Sequence, residues 1–397
     1  MPFEIAAMPA LIERPETMTL FDEAHARAAQ AYHRSFGTLY QPTPLVSLGA
    51  LAEALGLKSI HIKDESKRFG LNAFKALGGS YAIGCALAER FHLDTPTFET
   101  LRAAAEGQNI TVCTATDGNH GRGVAWTARR LGLGCVVYMP RGSAQERVDN
   151  IRAEGARVVV TDTPYDDTVR RARADAEANG WLSVQDTAWP GYTAIPTHIM
   201  QGYLTMAREA FEQLAGEIPT HLFLQAGVGS MAGAVAAFFK NALGDQAPRT
   251  VIVEPNAADC HYQSALAGDG KMRFVTGDLA SIMAGLSCGE PNPISWELLR
   301  YCAHFCLSCP DFTAADGMRV LSSPIGSDAR IESGESGAAT AGMLYELMTR
   351  PELRPMRDAL NLNESSRVLL VSTEGATDRE NYRRVVWEGR YPAPERT

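Results

Sequence analysis

The 397-residue chain is short of positive charge: 37 Lys and Arg against 46 Asp and Glu leave a net charge of −9 at pH 7 with His neutral. A protein that binds a phosphate backbone needs a basic face, so no nucleic acid is expected as a partner. Long apolar runs are missing too. None approaches the roughly 20 residues that cross a bilayer, so no membrane partner is expected. The first fifteen residues are apolar in part but lack a basic start and a small-residue cleavage pattern. That argues against a secretion signal and for a cytoplasmic protein with reduced thiols.

Several chemical signatures are absent as well. No Gly-Lys-Ser/Thr follows a glycine loop, which excludes a P-loop. No Gly-x-Ser-x-Gly elbow occurs, which removes the usual signature of an α/β-hydrolase. The nine histidines form no His-x-x-x-His pair. Of the eight cysteines, Cys302, Cys306 and Cys309 are closely set, but no second close Cys/His pair follows them. Zinc sites usually show two such pairs, so these read as buried structural thiols and no metal is expected.

What the chain does contain is alternation of strand-like and helix-like segments. Residues 59–63 alternate as a strand, and an Ala-rich helix is predicted over 80–89. From 110 to 185 the pattern is regular: strands at 110–115, 134–139, 157–161 and 182–185, with helices at 121–131, 144–154 and 165–178 between them. Such βαβα order predicts a parallel sheet covered by helices. The pattern returns after 190, with strands at 221–225, 250–254 and 367–372. The fold class is therefore α/β, with two domains that each hold a mostly parallel sheet flanked by helices. The expected division is a large domain of 1–85 and 191–397 and a small one of 86–190.

Three segments carry chemistry. The first is Asn72-Ala73-Phe74-Lys75-Ala76, where a polar loop turns into a helix. Free backbone N–H groups give such a spot positive potential, and an amine there is suited to attack a carbonyl and form a Schiff base. The second is Thr116-Asp117-Gly118-Asn119-His120-Gly121, after a strand and opening a helix. Its N–H groups suit a carboxylate, and the same residues equally suit a helix cap by Asp117 or Asn119. The third is Gly227-Val228-Gly229-Ser230-Met231-Ala232-Gly233, between a strand and a helix. It suits a phosphate held on backbone N–H groups, or an ordinary tight turn. Glu254, about 20 residues on, stands where a dinucleotide-binding fold keeps its ribose acid, which leaves NAD as a rival ligand. Asp117, Asp186, Gly227 and Ser372 all fall at strand C-terminal ends, the edge where open α/β sheets bind ligands.

In this order, with Pro42-Thr43-Pro44-Leu45 and Lys63-Asp64-Glu65 ahead of them, the segments resemble the fold-type II (tryptophan synthase β-like) pyridoxal-phosphate enzymes. The likeness covers nearly the whole chain. It is strongest, through residues 63–75, 116–126 and Gly289-Glu290-Pro291-Asn292-Pro293, to members that eliminate ammonia from 2,3-diaminopropionate. The resemblance implies pyridoxal 5′-phosphate carried on Lys75 beside Phe74. It also implies a ring hydroxyl on Asn119, a phosphate on Gly227, Val228, Gly229, Ser230 and Met231, and a ring nitrogen facing Ser372 or Thr373. It implies an amino-acid substrate met by Thr116, Asp117, Asn119, His120 and Asp186, with Lys75, Asp117 and Asp186 catalytic, in a homodimer. Family dehydratases usually have a small residue where Asp117 stands; a carboxylate suits a substrate with a second amine. The activity implied is loss of ammonia from D- and L-diaminopropionate, giving pyruvate and two ammonia through an aminoacrylate. The alternatives are a serine/threonine dehydratase of the same family, a NAD-dependent oxidoreductase, and a non-catalytic binding protein.

Overall fold

The computed structural model describes residues 3–116 and 118–395. Its strands, in chain order, are β1 (Glu4–Ala7), β2 (Leu45–Ser47), β3 (Ser59–Asp64), β4 (Thr111–Ala115), β5 (Gly134–Met139), β6 (Arg157–Val160), β7 (Leu182–Ser183), β8 (His221–Gln225), β9 (Arg249–Pro255), β10 (Ala303–Cys309) and β11 (Arg367–Ser372). The chain forms two compact units: Met1–Glu23, Thr43–Lys67 and Met206–Thr397 in one, Ala24–Pro42 and Arg68–Thr205 in the other.

The first unit holds a seven-stranded sheet in the order β1-β10-β9-β8-β11-β3-β2. The run from β10 to β3 is parallel, and β1 and β2 close the two edges antiparallel. Both faces are covered, so the inner strands are apolar throughout rather than alternating. Ile60, Ile62, Phe223, Val251, Val253, Leu307, Val368 and Leu370 share a core with Met318, Ala338, Met343 and Leu347 of the helices Asp311–Ser322 and Glu335–Thr349. Cys302, Cys306 and Cys309 are buried in or beside β10, and every cysteine is a free thiol. β10 was not predicted. Its His, Ser and Cys residues give a weak β signal, and only burial between neighbouring strands makes it one.

The second unit holds a four-stranded sheet, β6-β5-β4-β7, parallel throughout. Its strands alternate between two small cores. Val136 and Tyr138 of β5 pack with Ala172 and Ala176 of the helix Tyr165–Asn179. Val137 and Met139 pack on the other face with Ala125, Val148 and Ile151.

This unit is larger than the 86–190 expected from the sequence, and glycine contacts explain why. The helix Lys75–Phe91 lies against the helix Asn119–Leu131, where a Cβ on Gly123 would fall 2.8 Å from Ala76 Cα. It also lies against the first half of the helix Ala194–Gln213, where a Cβ on Gly202 would fall 2.4 Å from Leu77 O. Backbones this close need glycine. His33 adds a tie, bonding Leu77 O at 3.1 Å through Nε2 and Thr205 Oγ1 at 2.7 Å through Nδ1. The helix carrying Lys75 therefore belongs with 86–190. It also begins earlier than the predicted 80–89, with Lys75 as its first residue.

Candidate functional site

In the second unit the structure gathers Lys75, His120 and Asp186. Lys75 heads its helix directly after Phe74, whose ring centroid lies 4.7 Å from that of Tyr203. Lys75 Nζ donates to Asp186 Oδ2 at 2.6 Å, with side-chain exposures of 18% and 8%. Asp186 follows the end of β7, and Gln185 beside it fixes the turn. Gln185 Oε1 accepts from Ala115 N at 2.9 Å, and its Nε2 donates to Asp186 Oδ1 at 3.3 Å and to Tyr165 Oη at 3.1 Å. His120 Nε2 donates to Val184 O at 2.7 Å, which fixes that ring nitrogen as protonated, since a carbonyl only accepts. The other nitrogen, Nδ1, lies 4.0 Å from Asp186 Oδ2.

Burial pushes the Asp186 carboxyl up, but the charge of Lys75, then that of His120, outweighs it and holds the group at about 2. Asp186 is therefore an ionised carboxylate in a largely dry place, paired with an amine. Such a pair binds a second amine or moves a proton at neutral pH.

Asn119 is half-buried and opens the helix Asn119–Leu131. The turn before it is closed by Thr116, whose Oγ1 accepts from Gly118 N at 2.9 Å and Gly121 N at 3.1 Å. Thr116 thus satisfies two backbone donors at the start of this helix. Asp117 itself lies outside the described residues.

The first unit carries the glycine loop and the two hydroxyls. β8 ends at Gln225, and the loop Gly227-Val228-Gly229-Ser230-Met231 leads into the helix Ser230–Leu243. Gly229 has φ +89°, a left-handed value that favours glycine. Asn292 N donates to Val228 O at 2.8 Å, Asn292 Nδ2 to Ser230 Oγ at 2.9 Å, and Ser295 Oγ to Gly229 O at 2.6 Å. These ties hold the loop against the start of the helix Pro293–Cys302.

Ser372 ends β11, the strand beside β8. Its hydroxyl donates to Ser333 Oγ at 2.8 Å. Thr373 Oγ1 instead accepts from Gln225 Nε2 at 3.2 Å, and the same amide donates to Val371 O and Ser336 O at 3.0 Å. Gln225 therefore ties the end of β8 to the end of β11, and with it the glycine loop's root to the hydroxyl pair.

Glu254 is fully buried and cannot serve as a ribose acid. Its Oε1 accepts from His261 N at 2.9 Å and from His261 Nδ1 at 2.8 Å, and its Oε2 accepts from Tyr262 N at 2.7 Å. It accepts the N–H groups that open the helix Cys260–Ala267 and, fully buried, lies out of a sugar hydroxyl's reach.

The donor set fits pyridoxal phosphate: a primary amine for its carbonyl, glycine-turn N–H groups at a helix start for its phosphate, and hydroxyls for its ring. Residues 37–373 match the family model described as "Pyridoxal-phosphate dependent enzyme". The chain belongs to that family. It is 53% identical over 380 residues to a diaminopropionate ammonia-lyase of Escherichia coli, covering 95% of this chain and 94% of that one. Two solved structures of the Escherichia coli lyase each cover 98% of both chains. One, in complex with D-serine, has a TM-score of 0.92 at 50% identity. The other, in complex with an aminoacrylate-PLP azomethine reaction intermediate, has a TM-score of 0.90 at 49% identity.

Gln225, Tyr165, Gln185, Asn292, Ser295 and His261 were not singled out from the sequence as site residues. Only Asn292 left a signal there, as the polar residue before Pro293 that caps the helix Pro293–Cys302.

Proposed function

We propose that this protein eliminates ammonia from 2,3-diaminopropionate with pyridoxal phosphate, yielding pyruvate and two ammonia. The observation that carries the substrate assignment is Asp186, an ionised, nearly buried carboxylate 2.6 Å from Lys75 Nζ. A substrate with a second amine gives that carboxylate a cationic partner; serine and threonine do not. The high identity to a diaminopropionate ammonia-lyase along nearly the whole chain supports the same reading over a dehydratase. Glu254, consumed as a helix cap, removes the residue on which a NAD-dependent reading stood.

The residues divide as follows. Lys75 would hold the cofactor's carbonyl carbon, with Phe74 beside it. Asn119 would meet the ring hydroxyl, the residues from Gly227 to Met231 the phosphate, and Ser372 the ring nitrogen. Both hydroxyls make protein hydrogen bonds, and the choice of Ser372 over Thr373 rests on its place at the end of β11. When bound, the cofactor supplies an electron-withdrawing ring that stabilises the charge left by removal of the substrate α-proton. Ser372 is a hydroxyl rather than a carboxylate and does not force that ring nitrogen to carry a proton. The sink is then weaker, which suits elimination, where the leaving group takes the electrons.

Proton handling falls to the chain. An amine leaves poorly without a proton. Lys75 Nζ and Asp186 Oδ2 are within exchange distance of each other, so one can take a proton from Cα while the other steadies or protonates the β-amine. His120, anchored on Val184 O, sets the field at Asp186. Asp117 serves as the base for the opposite substrate enantiomer. We place the protein in the cytoplasm as a homodimer.

The test is Asp186→Asn. It should lower kcat on diaminopropionate by about 10²–10⁴-fold while the cofactor's visible absorption persists. Undiminished turnover would remove Asp186 from the reaction and the diamine argument with it.

A further inference from the structure

The strand that leads to Asp186 stops early. β7 spans only Leu182–Ser183 and forms the open edge of the four-stranded sheet, paired with β4 at Val112–Leu182 and Cys113–Ser183. Val184 N still donates to Cys113 O at 2.8 Å. In a continued parallel ladder the next rung would run from Ala115 N to Val184 O. Side chains take both groups instead. Ala115 N donates to Gln185 Oε1 at 2.9 Å, and Val184 O accepts from His120 Nε2 at 2.7 Å. The chain is thereby released from β4 just ahead of Asp186.

One hydroxyl covers the outer edge. Ser183 O and Gln185 N face away from β4, where an edge strand leaves its backbone groups unpaired. Tyr192 Oη donates to Ser183 O at 3.0 Å and accepts from Gln185 N at 2.8 Å, as a neighbouring strand would. Tyr192 is itself fixed by the turn Trp189-Pro190-Gly191-Tyr192. Its N–H donates to Trp189 O at 2.8 Å, Gly191 has φ +85°, and the Trp189 and Tyr192 rings stack with centroids 4.1 Å apart. Gln185, fully buried, reaches Asp186 with the other end of its amide: Nε2 donates to Oδ1 at 3.3 Å, while Oδ2 lies 2.6 Å from Lys75 Nζ.

We infer that Tyr192 and Gln185 are positioning residues for the reaction. The tyrosine hydroxyl holds the backbone ahead of Asp186, and the glutamine amide engages Oδ1, so that Oδ2 is the oxygen presented to Lys75 and to a substrate β-amine. Proton transfer depends on reacting groups held in line, and a carboxylate free to swing loses that alignment. The inference rests on the reading of Asp186 as a group of the reaction.

The experiment compares wild type, Tyr192→Phe, Gln185→Leu, Asp186→Asn, and each of the first two combined with Asp186→Asn. It measures kcat and KM of the holoenzymes on diaminopropionate, with circular dichroism to confirm folding. Tyr192→Phe removes one oxygen and keeps the ring stack, and so stands in if Gln185→Leu does not fold. Each single variant should lower kcat by about 10-fold to 10²-fold and change KM far less. In the Asp186→Asn background the same substitution should lower the residual kcat by less than about twofold, because the group it positions is gone. A merely structural role would lower kcat by the same factor in both backgrounds. That result, or wild-type kcat in a folded Tyr192→Phe or Gln185→Leu protein, would overturn the proposal. Asp186→Asn separates this from the underlying reading. Wild-type turnover in that variant ends the role of Asp186 itself; lost turnover there, beside wild-type turnover in Tyr192→Phe and Gln185→Leu, ends only the role of the two positioning residues.

Discussion

At the scale of single residues, the account turns on two aspartates. Asp186 is held at about 2, below the ordinary carboxylate value near 3.9. A depressed carboxyl stabilises the fold above its unfolded pKa, and that contribution is lost as pH falls through the folded value. In cofactor-free protein, Asp186→Asn should therefore cost about 2–3 kcal/mol at neutral pH. Denaturant titrations at stepped pH should show the gap closing between about pH 4 and pH 2. A gap independent of pH would mean that the Lys75 pair contributes nothing. Asp117→Asn is the companion variant. It should abolish turnover of one diaminopropionate enantiomer and largely spare the other, read by separate D- and L-substrate assays; equal loss on both would end the assignment of Asp117 to one face. Both aspartates stood out as candidates in the sequence because each comes after a predicted strand. Gln225, Gln185 and Asn292 did not. Their roles depend on which neighbouring strand ends they bridge, and no local pattern encodes that.

At the scale of elements, the helix Lys75–Phe91 is fixed by close backbone approach at Gly123 and Gly202. Gly123→Ala forces a methyl group to within 2.8 Å of Ala76 Cα, next to Lys75. Overpacking of this kind costs about 1–3 kcal/mol. Activity should fall more than stability does, since the displaced backbone adjoins Lys75, the proposed cofactor lysine. Thermal melts set beside kcat would show this, and a loss of stability with kcat intact would mean that the helix position is slack. The strands β5, β8 and β11 were read within a residue because their apolar runs are bounded by glycine, proline or polar turns. The helix start at Lys75 was missed by five residues, because Ala73 and Phe74 look like loop after Asn72 and because the Gly78-Gly79 pair argues against a helix. Those glycines are there for packing: a Cβ on Gly78 would fall 2.5 Å from the Tyr203 ring.

At the scale of the whole molecule, the class of fold was legible from the βα order, and the family from three segments whose sequence order is itself specific. The allocation of residues 24–42, 68–85 and 191–205 was not, since it follows from contacts between helices far apart in the chain. Function rests on the same three segments, now seen as an amine paired with a carboxylate, a glycine turn at a helix start and a hydroxyl at a strand end. Among the described helices none is long and apolar enough to cross a membrane. The most direct test supplies D- and L-2,3-diaminopropionate, serine and threonine to the holoenzyme and measures keto acid and ammonia together. Two ammonia per pyruvate from diaminopropionate, with little product from serine or threonine, is the expected result. Efficient release of one ammonia per keto acid from serine or threonine, with diaminopropionate untouched, would contradict the account and make this chain a dehydratase.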